Sequence, residues 1–297
     1  MIDFSHTRTP AQSMQEYGRG LAGGLIFSMP LLFTMEVWWA GFILHPLRIL
    51  LYVLATFCLL LLYNRFVGLR KDASFLEVVI DSVEEMGLGI VMAALVLWIT
   101  DRLNLEMTAT EIGGKIIMEA MTVAIGVSVG TAQLGAPDEG DDGLAGDESG
   151  ERRRAYLPQT AIALCGAVLF AANIAPTDEI GVIAMESPPW KLLLMVACGL
   201  GLSSLILHFT DFRGAAAHTL ADNVCLKARG VVTTYAVALV AAVSALWFFG
   251  KLDGQPAPQV IAMTVVLSIP AALGASAGRF LLQTSTRDNK DGKEDRS

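Results

Sequence analysis

The chain has 297 residues, of which 54% are hydrophobic and 17% charged, and its mean hydropathy is +0.54. Soluble domains carry about 25% charged residues, so an ordinary soluble globular protein and a disordered one are both excluded. The net charge of −8 is mostly local, because seven acids crowd between Asp138 and Glu151. No basic face with interleaved aromatics offers itself to nucleic acid.

Residues 1–20 are polar and form an N-terminal segment. The block 21–43 is apolar and long enough to cross a bilayer, which takes about 20 residues. It ends at Trp38-Trp39 and not at a small-residue cleavage site, so no cleavable signal peptide is expected. Seven further blocks follow at 45–66, 75–99, 110–133, 156–176, 188–209, 225–249 and 258–282. The expected fold is therefore all-α, a polytopic membrane protein of about eight transmembrane helices, since barrel strands would alternate in short segments. Between the fourth and fifth blocks, residues 134–155 are rich in Gly, Asp and Glu and form an acidic flexible linker. Asp138, Asp142 and Gly143 faintly suggest a calcium loop, but Gly140 and Ser149 stand where acidic oxygens are needed. The mixed-charge tail, 286–297, is expected to be disordered.

Placing the N-terminus in the cytoplasm puts Arg8, Arg19, Arg65, Arg70, Lys71, Arg152, Arg153, Arg154, Arg213 and the basic tail on one side, against Arg102 and Lys251 on the other, with Lys115 near an outer end. The linker and both termini are then cytoplasmic. Cys58, Cys165, Cys198 and Cys225 show no CxxC spacing and read as buried free thiols. His6, His45, His208 and His218 are scattered, so no histidine metal site and no cofactor are expected.

The two halves resemble each other. A shift of 143 residues lays Phe27, Thr34, Glu36 and Val37 on Phe170, Thr177, Glu179 and Ile180, and Pro46 on Pro189. A shift of 142 lays Ala120–Val123 on the identical Ala262–Val265. Residues 21–133 and 156–285 thus read as two membrane repeats of four helices. An even number of helices per repeat makes the repeats parallel, related by an axis along the membrane normal. The stretches GGLIFSMPLLFTMEVWWAGF at 23–42 and NIAPTDEI at 173–180 are similar to hallmarks of a bacterial family of integral membrane proteins carrying a domain of unknown function. That resemblance implies a multi-pass prokaryotic membrane protein and supplies no activity.

Charge inside a bilayer costs roughly 2.5–3.5 kcal/mol per residue on insertion scales, so acids within blocks are the informative positions. Glu36 and Glu179 share the Thr-x-Glu context with Thr34 and Thr177, and Asp178 sits beside the second. Pro30 and Pro176 lie nearby, and carboxylate, hydroxyl and freed carbonyl oxygens together suit a hard cation. Equally, these acids could simply stand in interfacial water. Glu77, Asp81, Glu84 and Glu85 lie on one helical face. That stripe is a cation path, a set of ion pairs with the seventh block, or a solvated face. Glu119 falls near the middle of the fourth block, where it is a candidate proton carrier or the partner of Lys115 one turn away. Glycines such as Gly126-x3-Gly130 and Gly274-x3-Gly278 suit close helix packing.

No nucleophile triad, phosphate loop or HExxH stands in the sequence, so an enzyme is not expected. The expected function is movement of a small cation or protons across the bacterial inner membrane, by channel or carrier. The alternative is a non-transporting membrane scaffold or regulatory subunit. The partners are the lipid bilayer and the cation, with further copies of the chain left open.

Overall fold

The computed structural model describes residues 10–67, 74–104, 106–133, 148–214 and 224–294. In chain order the helices are α1 (Pro10–Leu32), α2 (Met35–Ile43), α3 (Pro46–Val67), α4 (Phe75–Ile99), α5 (Ala109–Gln133), α6 (Glu148–Ile174), α7 (Glu179–Glu186), α8 (Pro189–Gly214), α9 (Val224–Phe248) and α10 (Ala257–Glu294). No strand occurs among the described residues. The starts are chemically specified. Pro46 and Pro189 occupy first helical positions, where a missing N–H costs nothing. Ser74 and Glu77 form a reciprocal capping box at the start of α4.

Six of these helices are long and apolar enough to cross a membrane, and a seventh span arises if α6 and α7, joined at a 90° bend, count as one. The eight uniform spans expected from hydropathy are therefore not what is seen. The block 21–43 breaks at Phe33–Thr34 into α1 and the short α2, and α7 follows α6 after a similar break. At the first break Thr34 leaves helical geometry with φ −98° and ψ 112°, and its hydroxyl donates to the Pro30 carbonyl; at the second, Pro176 follows the end of α6 and cannot continue its ladder. The first half of α1 and the start of α6 are also polar, which dilutes their hydropathy. Helices α6 and α10 extend into the stretches assigned to linker and tail, while residues 134–147 of the linker lie outside the described residues.

Two helices sit at the centre. The apolar window of α5 is 78% buried and that of α10 is 56% buried, whereas α8 is only 11% buried. Helices α1, α2, α3 and α4 pack on α5, and α6, α7, α8 and α9 pack on α10. Small residues permit these approaches. Gly23 of α1 meets the Gly130 backbone of α5, and Gly166 of α6 meets the Gly274 backbone of α10. Large apolar side chains that stay uncovered, such as Leu193, Trp98 and Leu95, belong to the peripheral helices and face the lipid.

The halves are joined mainly through α6 and α3. Asn173 of α6 accepts from the Leu31 N–H at 3.1 Å and donates to the Phe27 carbonyl at 2.9 Å, bracing α1 beside its proline. Arg48 of α3 donates two hydrogen bonds to Asp253 in the α9–α10 loop, at 2.6 and 3.0 Å, and its guanidinium lies over the Trp247 ring.

Candidate functional site

The acids found in the sequence occupy three different environments. At one end of the bundle, Glu36 and Glu179 stand in the first turns of α2 and α7. An acid there is favoured by the unpaired N–H groups of the helix start. Glu36 is half-buried and Glu179 exposed. The threonine hydroxyls turn backwards: Thr34 donates to the Pro30 carbonyl at 2.7 Å and Thr177 to the Ile174 carbonyl at 2.9 Å. Asp178 is paired with Lys251 at 2.7 Å. The Thr-x-Glu motif thus marks the place where one helix stops and a short one restarts.

The stripe on α4 divides. Glu77 is spent on the capping box and Glu84 is exposed. Asp81 is half-buried. Glu85 turns into the bundle, where its Oε2 accepts from Asn64 Nδ2 of α3 at 2.7 Å. The same Nδ2 donates to Ser82 Oγ at 3.1 Å, and Ser128 Oγ of α5 donates to Asn64 Oδ1 at 3.0 Å. Glu85 is therefore held by a neutral amide of α3 that is itself bonded to α5. The sequence offered one signal for this cluster, an asparagine inside an otherwise apolar helix.

Glu119 is the most isolated of the three. It lies ten residues into α5, about 15 Å along the axis at 1.5 Å per residue. It is 0% exposed, and neither carboxylate oxygen has a hydrogen-bond partner. The Trp38 indole N–H of α2 faces it but does not close a hydrogen bond. Tyr52 of α3 lies within electrostatic reach, its hydroxyl 2.9 Å from Thr122 Oγ1 one turn further along α5. Lys115 does not neutralise Glu119. Its ammonium donates to the Arg102 carbonyl at 3.1 Å and approaches the Met107 sulfur.

Arg102 stacks over the Trp38 ring at 5.0 Å, so the α4–α5 loop rests on α2. The α9–α10 loop is built alike. Leu97, Trp98, Arg102 and Leu103 correspond to Leu246, Trp247, Lys251 and Leu252 at a constant shift of 149 residues. In each loop the residue before the base has positive φ, Asp101 at 58° and Gly250 at 74°. The next N–H in each returns to the leucine carbonyl, Arg102 to Leu97 and Lys251 to Leu246. The outer basic residues counted from sequence omitted Arg48 and Lys191, which stand at this same end near the starts of α3 and α8.

No group of three or more His, Cys, Asp and Glu side chains is placed to hold a metal among the described residues. The family described as "Putative integral membrane protein (DUF2391)" matches residues 16–282. The chain belongs to this family. It is a multi-pass integral membrane protein, as the apolar helices and their lipid-facing side chains require. The family's function is unknown. No curated protein and no solved structure matches the chain.

Proposed function

We propose that this DUF2391 protein moves protons or a small monovalent cation across the bacterial inner membrane, with Glu119 as the proton-carrying group. The observation that carries the proposal is the Glu119 carboxylate itself. It is enclosed on the most buried helix, about 15 Å from the helix start, and has no ion-pair or hydrogen-bond partner. An intramembrane acid of this kind is costly to retain and serves conduction far more readily than packing. A leucine or methionine would pack the same space without the penalty.

The hydrogen-bonded Tyr52 and Thr122 hydroxyls, with Tyr52 within electrostatic reach of the carboxylate, are the proposed next groups on the proton's route. Glu36 and Glu179 supply negative potential at the α2/α7 end and raise the local cation concentration. In this proposal that end faces the periplasm, and the linker and both termini face the cytoplasm, following the Lys/Arg bias.

The architecture proposed is eight membrane-crossing segments in two parallel four-helix repeats. Three observations support it. The order of packing about α5 is repeated about α10. The paired Gly23–Gly130 and Gly166–Gly274 crossings match at shifts of 143 and 144 residues. The α4–α5 and α9–α10 loops share one motif.

The test is flux into liposomes holding the purified chain, with protons, sodium and potassium tried separately against empty liposomes. Flux of at least one cation is expected. It should survive deletion of residues 136–147. Absence of flux for all three, with the protein folded and inserted, refutes the transport reading and leaves the membrane scaffold.

A further inference from the structure

We propose that the cluster of Asn64, Ser82, Glu85 and Ser128 is a binding site for one sodium-sized monovalent cation. Three helices bring the donors together. Asn64 comes from α3, Ser82 and Glu85 from α4, and Ser128 from α5. The other three polar groups each lie within 3.1 Å of the Asn64 amide. Asn64, Ser82 and Ser128 are buried, and Glu85 is half-buried.

The direction of each proton decides what the cluster can hold. Ser82 gives its hydroxyl proton to the Val78 carbonyl at 2.8 Å, so a lone pair of Ser82 Oγ points at Asn64. Glu85 Oε2 likewise presents only lone pairs when ionised. As the cluster stands, the Asn64 NH2 fills the gap between these two acceptors. A half-turn of the amide exchanges its oxygen and nitrogen at almost no steric cost. Oδ1 then joins Glu85 Oε2 and Ser82 Oγ, and three oxygens converge with no proton among them. A cation seated among the three oxygens satisfies such a set. The freed Nδ2 turns to Ser128, whose hydroxyl can accept as well as donate.

Charge and hardness select the ion. One carboxylate with neutral amide and hydroxyl oxygens balances a single positive charge. A divalent ion would remain uncompensated in a low dielectric and would prefer more carboxylates. Oxygen donors disfavour soft metals. The exposed Glu84 carboxylate, within electrostatic reach of Glu85, draws cations toward the site.

The site rests on the transport reading only for its purpose, as the station at which a cation is exchanged for the proton on Glu119. Binding itself is independent of flux. The experiment is equilibrium binding of radiolabelled sodium to the purified full chain in detergent, with choline replacing sodium to hold ionic strength. Saturable uptake approaching one ion per chain is expected. It should be retained in Glu119→Gln, lost in Glu85→Gln, and weakened roughly tenfold or more in Ser128→Ala and Ser82→Ala. The serine variants keep the test valid if Glu85→Gln fails to fold. No saturable sodium binding in the unaltered chain overturns the proposal. Binding that survives Glu85→Gln, or disappears with Glu119→Gln, places the ion elsewhere and also overturns it. Sodium binding that persists in a chain without measurable flux upholds the site and removes the transport reading.

Discussion

Replacing Gly166 by alanine tests the helix crossing at the heart of the second half. A Cβ at Gly166 would meet the carbonyl group of Gly274, and one at Gly274 would meet the carbonyl of Gly166. These obstacles are backbone atoms, which cannot rotate away, so α6 and α10 must separate. Overpacking of this kind costs roughly 1–3 kcal/mol. The control is Gly113→Ala at a half-buried position, because nothing lies within 4 Å of a Cβ there. Removing that helical glycine is favourable by about 1 kcal/mol at most. Gly166→Ala gains the same helix propensity, so the two variants should differ by the overpacking cost, roughly 1–3 kcal/mol. At about 2–4 °C per kcal/mol for a chain of this size, Gly166→Ala should melt roughly 2–12 °C below Gly113→Ala. Gly23→Ala should behave like Gly166→Ala, since it meets the Gly130 backbone in the same way. The assay is thermal unfolding in detergent followed by far-ultraviolet circular dichroism. Equal melting of all three variants would refute the close crossings and, with them, the matched packing of the two halves.

Other outcomes follow from single contacts. Asn173→Ala should destabilise by about 1–2 kcal/mol, the sum of two intramembrane hydrogen bonds to α1, measured by the same melting assay. The Arg48 guanidinium, hydrogen-bonded to Asp253, holds that carboxyl below the ordinary aspartate range. Because the folded value is depressed, the pair stabilises at pH above about 4 and its contribution fades as the pH falls through the folded value. Arg48→Gln should therefore flatten the acid limb of a melting-versus-pH curve. The double change Glu36→Gln with Glu179→Gln should lower cation flux at low salt and leave it nearly unchanged at high salt, where the field is screened. Equal reduction at both salts would mean the acids do not act through a shared field.

Much of the helical framework was legible in the sequence because apolar blocks of bilayer length leave little choice. The block at 75–99 coincides with α4, and those at 45–66, 110–133 and 225–249 fall within a residue of α3, α5 and α9 at each end. The breaks were harder to read. Pro30 and Pro176 were visible, but the Thr-x-Glu motif serves both a cation site and a helix restart, and hydropathy does not distinguish them. The matching loops at 97–103 and 246–252 were hidden by a change of shift from 143 to 149 residues. Glu119 was found as a mid-helix acid, but its isolation was not, because Lys115 one turn away is an equally plausible partner until its ammonium is seen to reach the α4–α5 loop. The cluster around Asn64 joins residues 18 to 64 positions apart, and only packing brings them together.

The central claim is that Glu119 carries the proton. The most direct measurement is proton flux in liposomes for Glu119→Gln beside the unaltered chain, at matched protein incorporation and with a potassium ionophore clamping the potential. Glutamine keeps the shape of the side chain and cannot exchange a carboxyl proton. The account predicts that Glu119→Gln folds and melts at least as high as the unaltered chain, since an unpaired buried acid is removed, while proton flux falls to the level of empty liposomes. Proton flux equal to that of the unaltered chain would contradict it.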